Sequence, residues 1–342
     1  MNRILFLILL LSFNNGKVSC QSFSVRDLLE LTNLPSNGIN NFMLKKGFII
    51  INHDLHNDSI DASFIPRVKI RKKPVQIRQG VDFYQKNGSR YFVFHTLDLD
   101  DYQNGERRLI KSDYIHDKKK NIDKDSLILF QRKNISILAS IEVKDSVAKY
   151  TFKLKQRKIP DSVLYAEDLL QFDSNEFLES YFGEKNVTKD LYYFSEKELK
   201  KCSVLFNGTL YQAAFVWGDE NNLNNLSYII VSNLLPTKDG KQNSIVNENN
   251  AWKFQNGIHH GMELKDVLRL NEADFDIYGN KSDFAFMVNP DNSGKINFKK
   301  TALMFNCRDC SDNIIFDQPD ISALDIVKAR LPMRVFDIII YP

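Results

Sequence analysis

The sequence predicts an α+β protein of two domains, each made of short helices and a largely antiparallel sheet. Three observations carry that expectation. The 342 residues are long for a single hydrophobic core. Stretches of period-two alternation dominate, with helical periodicity confined to short runs. Two regions, one beginning at Val25 and one at Ala166, also open alike, with Asp-Leu-Leu, an aromatic helix-like run and then a glycine.

Residues 1–20 read as a secretory leader. Arg3 supplies the positive start, and Ile4 to Phe13 is an apolar run of signal length. That run falls short of the ~20 residues a bilayer span needs, so no transmembrane helix is expected in the mature chain. Val18-Ser19-Cys20 offers a cleavage point, giving a periplasmic or secreted protein. The rival reading makes Cys20 a lipid-bearing N-terminal residue, although Lys17 stands where such signals want an aliphatic side chain.

The N-terminal domain is expected over 21–160. Val25 to Leu34 has helical spacing, and Pro35 stops it. A second helix holds Ile39, Phe42 and Met43 and ends at Gly47. Strands then follow. Val68, Ile70, Val75 and Ile77 line one face opposite Arg and Lys, the strands "YFVFHTL" and "LILFQ" come next, and a hairpin turns near Lys144-Asp145-Ser146.

The C-terminal domain is expected over 161–342. Ser195 to Glu198 has capping-box spacing. Asn207-Gly208 suits a tight hairpin, because both residues tolerate positive φ. "LSYIIVS" is a strand, and Met262 to Leu270 is a helix. Strands are expected near Phe284–Val288, Ile296–Phe298, Leu303–Asn306 and Val335–Tyr341. Ser322 caps a helix over Ala323–Arg330.

The net charge of +3 is small and its charges are interspersed, so no nucleic-acid partner is implied. The basic run from Arg67 to Lys73 reads as the solvated face of a strand. Asn-x-Ser/Thr triplets at Asn134, Asn186 and Asn207 follow from the abundance of asparagine. With the leader gone, Cys202, Cys307 and Cys310 remain as disulfide candidates. A bridge from Cys202 to Cys307 or Cys310 would close a loop of about a hundred residues, worth about 4–5 kcal/mol in the chain-entropy model. "CRDC" is followed by loop and strand rather than by the helix a redox motif requires.

Chemistry-bearing clusters are few. His259 and His260 are adjacent, which in extended chain turns them to opposite sides, so no metal is assigned there. The glycines around them suit a loop-to-helix joint. His53 and His56 lie in "NHDLHND", a turn-rich stretch that reads as a loop. Asn289, Asp291, Ser293 and Gly294 match half of a calcium loop, but position twelve is Lys300 instead of glutamate. No phosphate loop, dinucleotide glycine pattern or nucleophile elbow occurs, so no cofactor and no catalytic residue are assigned.

From Cys202 to Tyr341 the chain resembles a group of uncharacterised bacterial exported and cell-envelope proteins. The matching features are Trp217, Trp252, "GIHHGMELKDVLRLN", Phe275, Gly279, Gly294 and "RVFDIIIY". That group carries glycine after the helix-ending asparagine, where this chain has Glu272. Ile258 to Leu270 is also similar to a segment of small outer-membrane assembly lipoproteins. The resemblance implies an extracytoplasmic binding or structural role, with an envelope protein or glycan as partner, and brings no catalytic residues. Trp217, Trp252, His259 and His260 are the candidate interaction surface, against the competing reading of both tryptophans as core. The alternative function is a hydrolase of envelope polysaccharide or peptide, which would bring two carboxylates, or a histidine and a nucleophile, into one cleft.

Overall fold

A computed structural model describes residues 22–56, 59–67, 77–86, 88–122, 125–195, 198–232, 250–307 and 313–342. The protein is α+β, and it divides into two compact units between Lys158 and Ile159. No described helix is long and apolar enough to cross a membrane.

The first unit begins with helices α1 (Val25–Leu31) and α2 (Ser36–Lys45). Ser24 caps α1, and the Asp27 carboxylate accepts from the Ser24 N–H at 2.9 Å, so two of the N–H groups at the helix start are satisfied. Four strands follow, β1 (Phe48–His56), β2 (Ser59–Pro66), β3 (Gln79–Lys86) and β4 (Ser89–Thr96). After helix α3 (Leu99–Lys111) come β5 (Ile115–Ile122), β6 (Asp125–Arg132), β7 (Ile135–Lys144) and β8 (Val147–Gln156). They form one antiparallel sheet in the order β1-β2-β3-β4-β8-β7-β6-β5. The β7–β8 turn places Asp145 and Ser146 at φ 49° and 64°, as a two-residue hairpin needs. Phe23, Phe48, Phe94 and Phe152 meet over one sheet face, where Leu28, Met43 and Leu109 from the helices close the core.

The second unit starts with a 3₁₀ turn (Ala166–Gln171) and helix α4 (Asn175–Phe182). Strands β9 (Val187–Ser195), β10 (Glu198–Leu205), β11 (Ala213–Asp219) and β12 (Asn224–Val231) form a meander. Helix α5 (Leu264–Asn271), β13 (Asp276–Tyr278), β14 (Thr301–Asn306), β15 (Asp320–Ser322), helix α6 (Ala323–Lys328) and β16 (Arg334–Ile340) complete it. The main sheet runs β14-β16-β12-β11-β10-β9, and β13 and β15 form a separate two-stranded sheet. Both faces of the main sheet are buried. Phe215, Trp217, Ile229, Leu303 and Ile338 face the helices, while Cys202, Val204, Ala214, Val216, Tyr228, Ile230, Ala302 and Ile339 form a second cluster. Burial on both faces explains why "AAFVW" and "FDIIIY" show so little polar alternation.

The two units share an order of elements. Each has a helical pair, a four-strand meander, a further helix, and a last strand antiparallel to the fourth (β8 beside β4, β16 beside β12). The Asp-Leu-Leu echo has a local cause. Asp168 accepts from the Leu164 and Tyr165 N–H groups at 2.9 Å, the same role that Asp27 plays at Ser24.

Several expectations are corrected. Residues 52–56 of "NHDLHND" extend β1 instead of forming a loop. Ser195 and Glu198 are paired across the β9–β10 hairpin, so their capping-box spacing starts no helix. The Asn207-Gly208 hairpin is wider than two residues, with Phe206 and Gly208 at positive φ and Gln212 Oε1 accepting from the Gly208 N–H. Phe284–Val288 and Ile296–Phe298 are turns, and Met287 and Val288 each contribute one bridge. The strand positions Val68, Ile70 and Val75 lie outside the described residues; Ile77 is exposed.

The Cys202 bridge is also corrected. Cys202 is free and buried, whereas Cys307 is disulfide-bonded, its partner outside the described residues, where Cys310 also lies. Cys202 and Cys307 sit in clusters on opposite faces of the sheet, so their sulfurs cannot meet.

Candidate functional site

Most of the expected interaction surface is interior. Trp217 is 1 % exposed; its indole N–H donates to Ser203 Oγ at 2.9 Å, and that hydroxyl donates to Asn175 Oδ1 at 2.7 Å. Trp252 is 6 % exposed and donates to the Tyr211 carbonyl at 2.8 Å. Large rings with a satisfied N–H are core pieces. His260 is buried against the Phe336 ring, and desolvation pushes its imidazole below the ordinary value, which keeps it neutral. His259 alone of the four is exposed, with Nδ1 2.9 Å from the His260 carbonyl oxygen.

The loop around these histidines is a joint. Gly257 and Gly261 take φ 83° and 79°. The Gly261 N–H donates to the Val335 carbonyl at 2.8 Å, and the Val335 N–H returns to Met262 at 2.9 Å, so the loop is laced to β16. Among the described residues no group of His, Cys, Asp and Glu is placed to hold a metal. Burial pushes the Cys202 thiol up to about 12, which denies it a role as nucleophile at neutral pH.

The helix that follows ends on a built-in staple. Asn271 is fully buried; its amide donates to the Ala273 carbonyl at 2.9 Å and the Ser293 carbonyl at 3.1 Å, and its Oδ1 accepts from the Ile296 N–H at 3.0 Å. This side chain fixes the 289–296 turn against α5. Glu272 then takes the left-handed conformation at φ 54°, which glycine adopts without a Cβ clash. Glu272→Gly is expected to raise stability by about 0.5–1 kcal/mol, since it relieves a non-glycine left-handed residue and gives up only the exposed pair with Lys295. Urea denaturation of the two proteins measures the difference.

What the turn and staple shape is a groove. Residues 286–289 are pinned between β13 and β14: the Phe286 N–H donates to Tyr278, the Val288 N–H to Leu303, and the Phe305 N–H back to Phe286, all at 2.8–2.9 Å. Beside this ribbon lies a half-open cavity of about 380 Å³. Its buried floor is Val288, Phe298 and Ala302. Tyr278 and Phe284, with ring centroids 6.2 Å apart, Met287 and Pro290 form one wall, and Tyr341, just past β16, forms another. Phe284 is 49 % exposed at the rim.

Polar groups in the groove are sparse. Burial pushes the Tyr341 phenol above its ordinary value, so it stays a hydrogen-bond donor. Lys299 supplies an ammonium at the mouth, 2.9 Å from the Asp291 carboxylate. Among the described residues no carboxylate, imidazole, thiol or serine belongs to the lining. Sequence reasoning missed the groove because its walls are turns. The signal was Phe284, Met287, Pro290 and Phe298 clustered around the calcium-like loop, a density of large apolar residues that no regular element absorbs.

No protein-family model matches the chain, and comparison with curated proteins and with solved structures likewise found no match.

Proposed function

We propose that the protein is exported and serves the cell envelope as a non-catalytic binding module, with the groove of its second unit as the ligand site. One observation carries this reading: a cavity of about 380 Å³, walled by aromatic and aliphatic side chains and set on a hydrogen-bonded scaffold. That volume and lining are those of small-ligand sites, which combine mainly apolar walls with a few polar groups. The hydrolase alternative needs a pair of acids, or a base and a nucleophile, facing the substrate. The groove's side chains offer contact and orientation instead. The apolar leader of residues 4–13 and the Cys307 disulfide support an oxidising, extracytoplasmic destination.

The test uses 1-anilinonaphthalene-8-sulfonate, an apolar ring system bearing one negative charge. Saturable fluorescence enhancement is expected with the folded protein. Ala302→Phe, which fills the floor, should remove it, and Phe284→Ser should weaken it several-fold. Near-ultraviolet circular dichroism checks that both variants stay folded. Enhancement that is indifferent to both substitutions would count against the groove. Export is tested by N-terminal sequencing of protein expressed with its own leader; an intact leader on cytosolic protein contradicts it.

A further inference from the structure

We propose that the groove takes a single-chain anionic amphiphile, a free fatty acid of medium length, with its chain along the Val288–Phe298–Ala302 floor and its carboxylate at Lys299. The inference rests on the groove being the ligand site and names the chemistry that fits it. The lining is almost wholly carbon. A sugar or a peptide backbone would carry hydroxyl, N–H or C=O groups into it, and each one left without a partner costs about 1–3 kcal/mol. The groove can answer with two tyrosine hydroxyls and one ammonium. An alkyl chain asks for no polar partners and gains about 0.8 kcal/mol per methylene buried. A volume of about 380 Å³ lies near the small end of ligand pockets, which favours one chain over a two-chain lipid.

Charge fixes the orientation. Among the described residues of the lining Lys299 is the sole charged side chain, so an anion at the mouth meets a cation while the interior stays apolar. Its present partner Asp291 is replaceable. The two side chains are 68 % and 79 % exposed, and a surface pair of that kind contributes about 0–1 kcal/mol. A ligand carboxylate takes the place of Asp291 at little cost. Phe284 at the rim is positioned to cover the chain.

Titration calorimetry with laurate and with dodecanol, both below their aggregation concentrations, tests this. Laurate should bind more tightly than dodecanol. Lys299→Met should weaken laurate roughly five- to tenfold and leave dodecanol unchanged. Asp291→Asn, an exposed change that frees the ammonium, should tighten laurate roughly two- to threefold. Ala302→Phe should abolish both. Equal affinities for the two amphiphiles, unmoved by Lys299→Met, would overturn carboxylate recognition while leaving the groove as an apolar site. Binding of neither amphiphile, with anilinonaphthalene fluorescence indifferent to Ala302→Phe, would overturn the groove reading as well.

Discussion

Asn271→Ala is expected to lower the unfolding free energy by about 3–4 kcal/mol, a large part of the margin on which an ordinary domain stands. The side chain is fully buried and answers three backbone groups at once, the carbonyls of Ala273 and Ser293 and the N–H of Ile296. Alanine leaves the buried Ile296 N–H unpaired, strips the two less buried carbonyls of their fixed partner and opens a cavity beside them. The staple also explains Gly294. A Cβ at that position would lie 2.2–2.4 Å from the Asn271 amide atoms, and its φ of +139° suits glycine. Gly294→Ala should therefore cost a comparable amount. The two losses should not add, because the double variant removes the collision that makes the glycine change so harmful. Denaturant unfolding of the four proteins measures the coupling. Strict additivity would mean that Asn271 and Gly294 act separately.

The fold was legible wherever local rules and tertiary demands agree. Gly47 follows the second helix at φ 79° as expected. The first helix ends at Leu31, short of the expected Leu34, and Pro35 serves as N-cap of the second. Asp145 and Ser146 turn a hairpin, and Ser322 caps its helix by accepting from the Asp325 N–H. Helix α3 was missed because "LDDYQNGERRLIK" is rich in turn formers. Its sequence nevertheless holds the signals of a helix. Asp98 is the N-cap, Asp100 and Asp101 sit in the first turn, Arg108 and Lys111 in the last, and Tyr102, Gly105 and Leu109 fall on one buried face. The β9–β10 hairpin was obscured in the opposite way, by a spacing of Ser195 and Glu198 that imitates a helix start.

The site was less legible, for a physical reason. Residue types that suggest binding when exposed, such as tryptophan and histidine, also serve as large core pieces with one polar atom to satisfy. Trp217, Trp252 and His260 all went that way. The second unit is held together by backbone joints instead: the Gly261 loop, the Asn271 staple and the Gly294 turn. The groove depends on neighbours that meet only after folding. Tyr278 and Phe284 are near each other in sequence, but Tyr341 joins them from the far end of the chain.

The last strand holds a further consequence that periodicity alone concealed. Asp337 interrupts the aliphatic run of β16 and, by alternation, shares the sheet face of Ile339. The residue is partly covered, but its Oδ1 is out of reach of water and has no hydrogen-bond partner, while the carboxyl keeps one hydrogen bond with Ser232. Tyr192, whose phenol pKa is raised chiefly by burial and further by the charge of Asp337, is near enough to interact but brings no positive charge. Burial therefore raises the Asp337 pKa from 3.8 to about 6, against the weaker opposing pull of Ser232. The folded state then holds a proton that the unfolded chain releases near pH 4. This contribution to stability is complete below pH 4 and is lost as pH rises through about 6. At 1.36 kcal/mol per pKa unit the change approaches about 3 kcal/mol, and the residue's partial exposure trims it to about 2 kcal/mol. Asp337→Asn, which keeps the shape of the neutral acid, should flatten the profile between pH 4 and 7 and leave the variant more stable than the parent at pH 8. Guanidinium unfolding at a series of pH values gives both curves. A parent whose stability rises from pH 5 to pH 7 with the same slope as Asp337→Asn would show that this carboxyl is ionised throughout, satisfied by something other than its own proton.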